Sequence, residues 1–556
     1  QPTGADYNIP DDSKVCYTEA QDHCLTGNSE KTRKVTPTPD KVWTLDESGA
    51  LKSADPQHTN QVSADQKVFL PSDGVSAVVN DHIAANLEYN LEQYSITDDW
   101  SDGLKYITMP GAKVYFQGAD VTSMFDITVD LAKGTTTAVA KPEFLAKTGR
   151  LAAPGDVKLI ITGSFRTDYD TNGMTEQLLN KGSVTWNNES KATNVPPVFT
   201  WTPDPHKQVV GSGEQDGGKT YEEIEGLSVV PGQKVEYTVQ LDLNVPDNQA
   251  RGIKSLGVKD TFDPMLKADP KSIEIYDPRT NKPIAAKNYT LTLDEANHTF
   301  TINFTDEFIQ NNTEVDAFGA VNWKDNATFV MRFSGTVKGE TPDGSTIENR
   351  AWQIVNGVEF ATEVPTVKTP PIEPHKEDLS TDNVDINGKT VVQGDILRYR
   401  LTLDAVPKTK LAYYVHKLGM VDDYDEKYLD IKPEAIHVIG KTSGKDVTDR
   451  FNVQVKDGQF AVFAKQVDWT NNWGQLVKGD PQPDDLFAYD AAPIVQGETP
   501  IIDQDLLSED YHVVVDATVT NETDGYSIVN QARENFENVA RQTEIVSNPL
   551  KDIDPK

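Results

Sequence analysis

Short stretches of alternating apolar and polar residues recur along the chain and predict β-strands. Residues 235–241 read Val-Glu-Tyr-Thr-Val-Gln-Leu, and residues 396–403 alternate in the same way around Tyr399 and Leu401. Successive side chains of a strand point to opposite faces, so this period of two indicates strands with one buried face. Asp-Gly, Asn-Gly and Gly-Lys pairs between the stretches supply turns. The pattern is typical of β-sandwiches, and it predicts an all-β fold.

The strands are organised in three similar units of about 170 residues. Each unit opens on a proline-containing joint that ends in a lysine: Thr-Pro-Asp-Lys41, Asp-Pro-His-Lys207 and Glu-Pro-His-Lys376. These lysines are 166 and 169 residues apart. Joints of this composition at regular spacing are typical of linkers between domains.

Two further features match between the units. An acidic–aromatic tripeptide follows the first strands, as Asp98-Asp99-Trp100, Asp260-Thr261-Phe262 and Asp422-Asp423-Tyr424. An asparagine near each unit's end stands 14 residues before a polar residue, in the pairs Asn180 and Asn194, Asn349 and Glu363, and Asn530 and Glu544. A fixed offset across weakly similar sequences indicates a repeated fold.

These repeats predict the domain boundaries. Residues 1–36 are an N-terminal extension or the end of a preceding domain; the three domains are residues 37–200, 201–369 and 370–556, called units one, two and three below. The short proline joints favour an elongated, monomeric rod of limited flexibility.

Two local alignments extend the comparison of the units. Residues 118–125 match residues 444–451 without gaps. In unit one, residues 78–81 followed by 87–91 are interpreted as the counterpart of the strands that follow Val229 and Val391, after a longer insertion. A helix is an alternative for residues 534–540, although this segment aligns with strands elsewhere.

Charge excludes several classes of partner. The chain carries 87 acidic and 52 basic residues, a formal net charge of −35. It would repel phosphate backbones and anionic membranes, so nucleic-acid binding is disfavoured. The sequence contains no run of about 18 apolar residues, which is the length that predicts a membrane-spanning helix. We expect any secretion or anchoring signal to lie outside residues 1–556.

The two cysteines, Cys16 and Cys24, are close together in a polar N-terminal segment. A disulfide between them is favoured in a secreted protein. Two unpaired thiols are the alternative. A metal site is less favoured, because only His23 lies nearby as a further ligand.

The recurring lysine, aspartate and asparagine suggest a reaction within each unit. The first and last strands of a sandwich often lie side by side, which would bring Lys41 close to Asn180. A neutral lysine amine can attack the side-chain carbonyl of asparagine, so that ammonia leaves and an amide cross-link remains. Burial promotes loss of the lysine proton, and a buried protonated carboxylic acid can assist the leaving group.

Simpler roles compete with this one. A lysine after a proline is usually solvated, and an aspartate before an aromatic residue is usually a turn or cap residue. The threefold repetition of all three residue types favours the reaction. Asp99 or Asp423 could act in place of its neighbour, but Thr261 at the same place in unit two favours Asp98, Asp260 and Asp422.

Four stretches of unit three resemble the C-terminal domains of the antigen I/II adhesins of streptococci. They are Val421–Leu429, Asp446–Phe451, Val384–Lys389 and Asp484–Val495. Related stalk domains occur in enterococcal aggregation substances. The resemblance covers about residues 37–556, and it is strongest in unit three and weakest in unit one.

The resemblance implies immunoglobulin-like sandwiches with intramolecular isopeptide bonds. It also implies an extracellular stalk that is anchored to the cell wall. Such a stalk contributes to attachment to host or salivary-type glycoproteins or to other bacterial cells. Carried over by position, the cross-links are Lys41–Asn180, Lys207–Asn349 and Lys376–Asn530, with Asp98, Asp260 and Asp422 as catalysts of self-cross-linking. No cofactor is required. Some relatives bind calcium, but no EF-hand spacing occurs here, so solvated acidic loops are favoured over Ca²⁺ sites and the metal question stays open.

Two other functions compete with that of a stalk. A glycoside hydrolase could use paired carboxylates such as Asp98 and Asp99. However, neighbouring residues on a strand face opposite sides, which disfavours this dyad and an enzyme acting on an external substrate. A glycan- or protein-binding module without cross-links could use the aromatic residues Trp469, Trp473 and Phe487 of unit three.

Overall fold

A computed structural model of the chain describes residues 34–45, 63–213, 219, 221–317, 319–324, 327–495, 497–521, 523 and 525–551. It also describes the backbone of four short strands nearer the N-terminus. These strands form two antiparallel pairs, Tyr7–Asp11 with Glu30–Lys34 and Lys14–Cys16 with Cys24–Thr26. The described residues contain no disulfide. The side chains of Cys16 and Cys24 lie outside the described residues, so their disulfide stays a prediction.

Unit one is built from two five-stranded antiparallel sheets. In spatial order, the first sheet contains Asp40–Thr44, Gly74–Ile83, Gly155–Phe165, Ile107–Phe116 and Ala119–Asp120. The second contains Glu189–Ala192, Lys181–Trp186, Tyr94–Asp99, Thr135–Ala140 and Phe125–Asp130. A smaller sheet joins Thr175–Leu179, Pro197–Trp201 and Val68–Phe69.

Unit two repeats this arrangement. Its first sheet contains His206–Gly211, Lys234–Gln240, Val330–Val337, Glu274–Asp277 and Lys282–Pro283, with Leu266–Ala268 also paired to Val330–Val337. Its second sheet contains Val358–Ala361, Thr346–Val355, Leu256–Phe262, Thr299–Phe304 and Tyr289–Asp294, with Thr366–Lys368 also paired to Thr346–Val355. The pair Thr313–Val315 and Val321–Trp323 lies outside these sheets.

Unit three has the same strand order. Its first sheet contains His375–Leu379, Ile396–Leu403 and Tyr511–Val519, which in turn pairs with Ile436–Gly440 and Leu429–Asp430. Its second sheet contains Val539–Gln542, Ala532–Phe536, Leu418–Asp423, Gln459–Ala464 and Phe451–Lys456. Three further strand pairs are Ser527–Asn530 with Val546–Pro549, Gln466–Val467 with Ile501–Ile502, and Trp469–Thr470 with Leu476–Val477.

Within the described residues, the helices are short and lie between strands, as follows. The α-helices are Pro142–Leu145, Asp306–Asn311 and Leu486–Ala491. The 3-10 helices are Ser101–Gly103, Thr122–Met124, Pro270–Ser272, Ala286–Asn288, Pro433–Ala435, Thr448–Arg450 and Gln504–Ser508. The all-β prediction is therefore confirmed. The helical alternative for residues 534–540 is wrong: this segment is a hairpin that turns at Glu537, whose φ is 53°.

The two sheets of each unit pack face to face over an apolar core. In unit one, Val79 and Leu159 of the first sheet meet Ile96 and Val184 of the second, and all four are fully buried. Apolar residues of this kind each contribute about 1.5–3 kcal/mol by leaving water. The cores extend across the joints, because Val68 and Leu70 pack into the core of unit two, as does Tyr413 from unit three.

One alignment of the sequence analysis is wrong. Val79 lies opposite Lys41, as Val239 lies opposite Lys207, so the whole strand Gly74–Ile83 is the counterpart of Lys234–Gln240. Residues 87–91 lie beyond this strand. Residues 75–79 are buried on both faces, which removed the alternation that marks the equivalent strands elsewhere.

Candidate functional site

Each unit buries one lysine on the first strand of its first sheet. Lys41, Lys207 and Lys376 are at most 4% exposed. The residues just before them face solvent, since exposed and buried positions alternate along these strands. The lysine side chains therefore point inward, between the two sheets. A lysine is rarely so buried unless its charge is paired or removed.

An aspartate of the second sheet contacts each buried lysine. Nζ of Lys207 donates a hydrogen bond of 2.6 Å to Oδ2 of Asp260, and both side chains are fully buried. The equivalent contacts, also between fully buried side chains, are Lys41 with Asp98 and Lys376 with Asp422. Lysine and aspartate thus meet across the middle of the sandwich.

The asparagine lies beside the aspartate: Asn349 belongs to the second sheet, and Asn180 and Asn530 come one and two residues before strands of it, Lys181–Trp186 and Ala532–Phe536. Asp260 is paired across the strands with Ala351, two residues after Asn349, so the side chains of Asp260 and Asn349 share a face. Units one and three have the same register, with Gly182 opposite Asp98 and Ala532 opposite Asp422. The residue opposite the aspartate is therefore small in all three units. A Cβ on Gly182 would approach methyl groups of Val79 and Thr193 to 3.1 Å.

The side-chain amides of the three asparagines are deeply buried. Asn180, Asn349 and Asn530 are at most 1% exposed, and neither the oxygen nor the nitrogen of any of these amides has a partner of normal geometry within the described residues. An unpaired buried amide costs about 1–3 kcal/mol. In unit one, Nζ of Lys41 is 3.4 Å from the carbonyl oxygen of Lys181, the residue after Asn180. The amides are thus uncommitted groups next to a lysine.

Burial shifts the pKa values of the paired groups toward their neutral forms. It lowers the pKa of Lys207 and raises that of Asp260, and their mutual attraction offsets only part of each shift. The nearby amide of Asn349 also opposes the rise at Asp260, which places it within reach of the carboxyl. Burial acts in the same directions on Lys376 and Asp422, and it lowers the pKa of Lys41 well below its usual range. In units two and three, burial therefore acts on both partners in the direction of a neutral amine and a neutral acid.

Aromatic rings surround the lysine amines in units two and three. Nζ of Lys207 is 5.0 Å from the ring centre of Tyr237 and 5.4 Å from that of Phe333. Nζ of Lys376 is 4.5 Å from the ring centre of Tyr399. The rings exclude water and hold the amine in place, whether it is charged or neutral.

The arrangement combines three chemical groups. A lysine of lowered pKa is a nucleophile, an asparagine carbonyl is an electrophile, and a carboxylic acid of raised pKa can give and take a proton. The residues are those that the sequence analysis selected. However, the lysine and asparagine strands do not lie side by side as expected. The lysine lies on the first sheet, whereas Asn349 lies on the second sheet and Asn180 and Asn530 immediately precede strands of the second sheet, on the other side of the core.

The alternative carboxylates of the sequence analysis point elsewhere. Asp99 is half-buried and Asp423 exposed, whereas Asp98 and Asp422 are fully buried at the lysines. Asp98 and Asp99 therefore do not open onto a common cleft, as a glycosidase dyad would require.

The three candidate aromatic residues of unit three differ in exposure. Trp469 is buried, with its ring edge-on to Tyr414 and His416. Phe487 is half-buried on the helix Leu486–Ala491. Trp473 is 60% exposed at the turn between Trp469–Thr470 and Leu476–Val477. Of the three, only Trp473 offers a ring to a ligand.

Two results concern metals and membranes. Within the described ranges, no cluster of three or more His, Cys, Asp or Glu residues could hold a metal ion. None of the helices in the part of the chain described above is long and apolar enough to cross a bilayer.

Sequence reasoning missed two parts of the site. The small residue two positions after each asparagine was visible as Asn-x-Gly or Asn-x-Ala, but it had no assigned role. The second is a contact between the backbone of each lysine and the residue 14 positions after the asparagine, Asn194, Glu363 or Glu544. The fixed offset was the signal of this contact.

Two facing sheets with one shared strand order define a tandem immunoglobulin-like sandwich protein. A sequence model described as the cell surface antigen I/II C2 terminal domain matches residues 205–369 and again residues 374–550, together more than half of the chain. The chain belongs to the antigen I/II family, and the resemblance inferred from the sequence is confirmed. The family is described as a cell surface antigen, and membership in it assigns the chain to the surface adhesins.

Solved structures of low sequence identity resemble the chain. The C-terminal domain of the Streptococcus agalactiae antigen I/II polypeptide BspA is 14% identical, with 60% of this chain and 100% of that chain covered and a TM-score of 0.43. The C-terminal domain of the Streptococcus pyogenes antigen I/II-family protein AspA is 15% identical, with 60% and 99% covered and a TM-score of 0.44. No curated protein matches the sequence.

Proposed function

We propose that residues 37–200, 201–369 and 370–556 are three domains of an adhesin stalk, each cross-linked internally by an isopeptide bond. The bonds are Lys41–Asn180, Lys207–Asn349 and Lys376–Asn530, and Asp98, Asp260 and Asp422 catalyse their formation. One observation carries this proposal: in three separate cores, a buried lysine contacts an aspartate beside a buried asparagine amide that has no hydrogen bond of normal geometry to the described residues.

The reaction needs no external reagent. The Nζ lone pair of the neutral lysine attacks Cγ of the asparagine, and the protonated aspartate hydrogen-bonds to the carbonyl oxygen as negative charge develops there. The aspartate then accepts a proton from Nζ and delivers one to Nδ2. The Cγ–Nδ2 bond breaks, ammonia leaves, and a secondary amide joins Nζ to Cγ. The carboxylic acid ends as it began, and an ionisable amine in the core has been replaced by a neutral amide.

Such a bond would suit a load-bearing stalk. It closes a loop of more than 100 residues, and in the chain-entropy model a closure of this size stabilises a fold by about 4–5 kcal/mol. Family membership supports an extracellular location, and we further propose attachment to the cell wall and to host glycoproteins or other bacterial cells.

The test is the intact mass of the reduced, denatured chain. Each bond removes one ammonia, about 17 Da, so three bonds give a deficit of about 51 Da. Lys41→Ala, Lys207→Ala and Lys376→Ala should each restore one third of it. A wild-type chain of full calculated mass would refute the cross-links.

A second candidate is glycan binding by unit three, which the exposure of Trp473 favours. An exposed indole can stack on the apolar face of a sugar ring. On a glycan array, Trp473→Ala should abolish any binding by the full chain, while Tyr89→Ala, which removes an 82% exposed ring from unit one, should not. Equal loss in both variants would count against a site at Trp473.

A further inference from the structure

The backbone of each reactive lysine is held by a side chain from the far end of its own unit. In unit two, Oε2 of Glu363 accepts a hydrogen bond of 2.9 Å from the backbone N–H of Lys207. Its other oxygen, Oε1, is 2.6 Å from Nδ1 of His206. Unit three repeats both contacts, with Glu544 on the N–H of Lys376 at 2.9 Å and on Nδ1 of His375 at 2.7 Å.

Unit one reaches the same geometry with different residues. Oδ1 of Asn194 accepts from the backbone N–H of Lys41 at 2.7 Å, and Nδ2 of Asn194 donates to the carbonyl oxygen of Lys41 at 2.9 Å. Asp40 stands where the other units have histidine. Because a neutral amide replaces the ion pair, the shared element is the contact with the lysine backbone rather than a charge.

The lysine strand needs such a contact because it lies at the edge of its sheet. His206–Gly211 stands at the end of its sheet order, as do the equivalent strands of the other units. On its outer side, backbone hydrogen bonds to residues 221–224 reach only residues 209–211. Lys207 precedes that stretch, so its outward N–H has no ladder partner and the strand can shift or fray there. The side chain of residue 194, 363 or 544 fixes that N–H.

Residues 194, 363 and 544 are also connected, through the threonine before each of them, to the strand that contains or follows the asparagine. The N–H of Thr362, the residue before Glu363, donates 3.0 Å to the carbonyl oxygen of Ala351, the small residue opposite Asp260. The hydroxyl of Thr362 donates 2.7 Å to the carbonyl oxygen of Glu363. Thr193 and Thr543 make the equivalent bonds to Gly182 and Ala532 and to the following residue. A short run of hydrogen bonds therefore links the backbone of the nucleophile to that of the electrophile, outside the core.

We propose that Asn194, Glu363 and Glu544 are positioning residues for isopeptide formation, which fix the lysine strand of one sheet against the asparagine strand of the other. This rests on the proposed cross-linking. Rates of reactions between held groups depend steeply on sub-ångström placement, so losing this contact slows bond formation in its own unit. It touches none of the reacting atoms, and the chemistry is unchanged.

The experiment follows formation of the Lys207–Asn349 peptide in freshly synthesised full-length chain, by digestion and mass spectrometry over time. Glu363→Ala is expected to slow this bond about tenfold or more. The bonds Lys41–Asn180 and Lys376–Asn530 in the same molecules should form at wild-type rates. Glu363→Gln keeps an oxygen that can accept from Lys207 N–H, so it should stay within about threefold of wild type. The double variant His206→Asp/Glu363→Asn, which copies unit one, should recover most of the rate.

Glu359→Ala is the matched structural control. Glu359 lies on the strand Val358–Ala361, just before Glu363, and its side chain is about as exposed as that of Glu363. Its Oε1 is 2.9 Å from Nζ of Lys259, so it does not contact the lysine strand His206–Gly211. Its removal should leave the rate of the Lys207–Asn349 bond unchanged. If Glu363→Ala prevents folding, Glu544→Ala repeats the measurement in unit three, with Lys207–Asn349 as the internal reference.

The outcomes separate the two proposals. A wild-type rate in Glu363→Ala, or equal slowing in Glu359→Ala, overturns the positioning role and leaves the cross-links standing. Absence of the Lys207–Asn349 peptide from the wild-type chain overturns the cross-link itself, and the positioning role with it. Slowing confined to unit two, with recovery in Glu363→Gln, supports both.

Discussion

At the scale of single residues, a buried Lys–Asp pair alone would not define a function. Buried ion pairs occur as structural elements, and replacing them with apolar residues is often neutral or stabilising. The asparagine makes the difference, since a fold that needed only a salt bridge would not also retain, in each of three cores, a buried amide that lacks a hydrogen bond of normal geometry to the described residues. The amide is better explained as a reactant than as a packing residue.

Asp98 and Asp99 offer a matched test of which carboxyl acts. Asp98→Asn keeps the size of the side chain but removes the acid beside Lys41, so the Lys41–Asn180 bond should fail and the intact mass should rise by about 17 Da, apart from the substitution itself. Asp99→Asn alters a half-buried neighbour on the opposite face and should leave the bond intact. The reverse pattern would assign the acid to Asp99.

Asp378 has a consequence for pH dependence. It follows Lys376 by two residues and is 1% exposed, and its two side-chain oxygens have no hydrogen bond of normal geometry to any residue that the structure describes. Burial raises its pKa to about 6, with smaller effects from Asn548, Asp385 and Lys376. Because the folded state then holds a proton more tightly than the unfolded state, stability falls as the pH rises from about 4 to about 6.

Unit two has Val209 at this place, which suggests the substitution Asp378→Val. It should raise the free energy of unfolding at pH 7 by about 1–2 kcal/mol and flatten its dependence between pH 4 and 6, as measured by denaturant titration. Asp382→Asn, an exposed acid in the next turn, should change neither. A stability loss in Asp378→Val at pH 7 would contradict this account.

At the scale of elements, the sequence predicted what depends on local pattern. Alternation located the strands of units two and three, and the gapless match of residues 118–125 with 444–451 corresponds to one repeated turn. In both copies a threonine hydroxyl, of Thr122 or Thr448, accepts from a strand N–H, at 3.0 and 2.9 Å. Local hydrogen bonds of this kind leave a signature in the sequence.

Long-range contacts were not predictable in this way. Nζ of Lys417 donates to three carbonyl oxygens at the end of the helix Leu486–Ala491, those of Tyr489, Asp490 and Ala492, at 2.8–3.2 Å. Backbone carbonyls are available at every residue, so nothing in the sequence distinguishes the three that bind. For the same reason, the placement of lysine and asparagine in opposite sheets could not be inferred from their order along the chain.

At the scale of the whole molecule, the joints between units are packed and hydrogen-bonded. Tyr413 of unit three enters the core of unit two, where its hydroxyl accepts from the N–H of Ser212 at 3.0 Å and donates to the carbonyl oxygen of Lys234 at 2.7 Å. Arg541 pairs with Asp343 across the same joint, with Nε–Oδ2 at 2.8 Å. Joints of this kind restrict the motion of one domain against the next.

Because this joint is packed, we expect a narrow distribution of distances between a spin label on unit two and a spin label on unit three. Tyr413→Ala removes an apolar anchor and two hydrogen bonds, so the distribution should broaden in pulsed spin-label measurements. Tyr414→Ala, which changes the adjacent ring within unit three, should leave it narrow. Equal widths in all three proteins would contradict a stiff joint.

The position of each lysine and asparagine, near the two ends of its unit, also affects how the protein withstands cleavage by proteases. With the bonds formed, residues 42–179, 208–348 and 377–529 lie within closed covalent rings. A protease that cuts once inside any ring opens it without dividing the molecule, because the isopeptide bond still connects the two parts of the chain on either side of the cut. Only the short segments between rings would remain points where one cleavage releases the distal part of the adhesin.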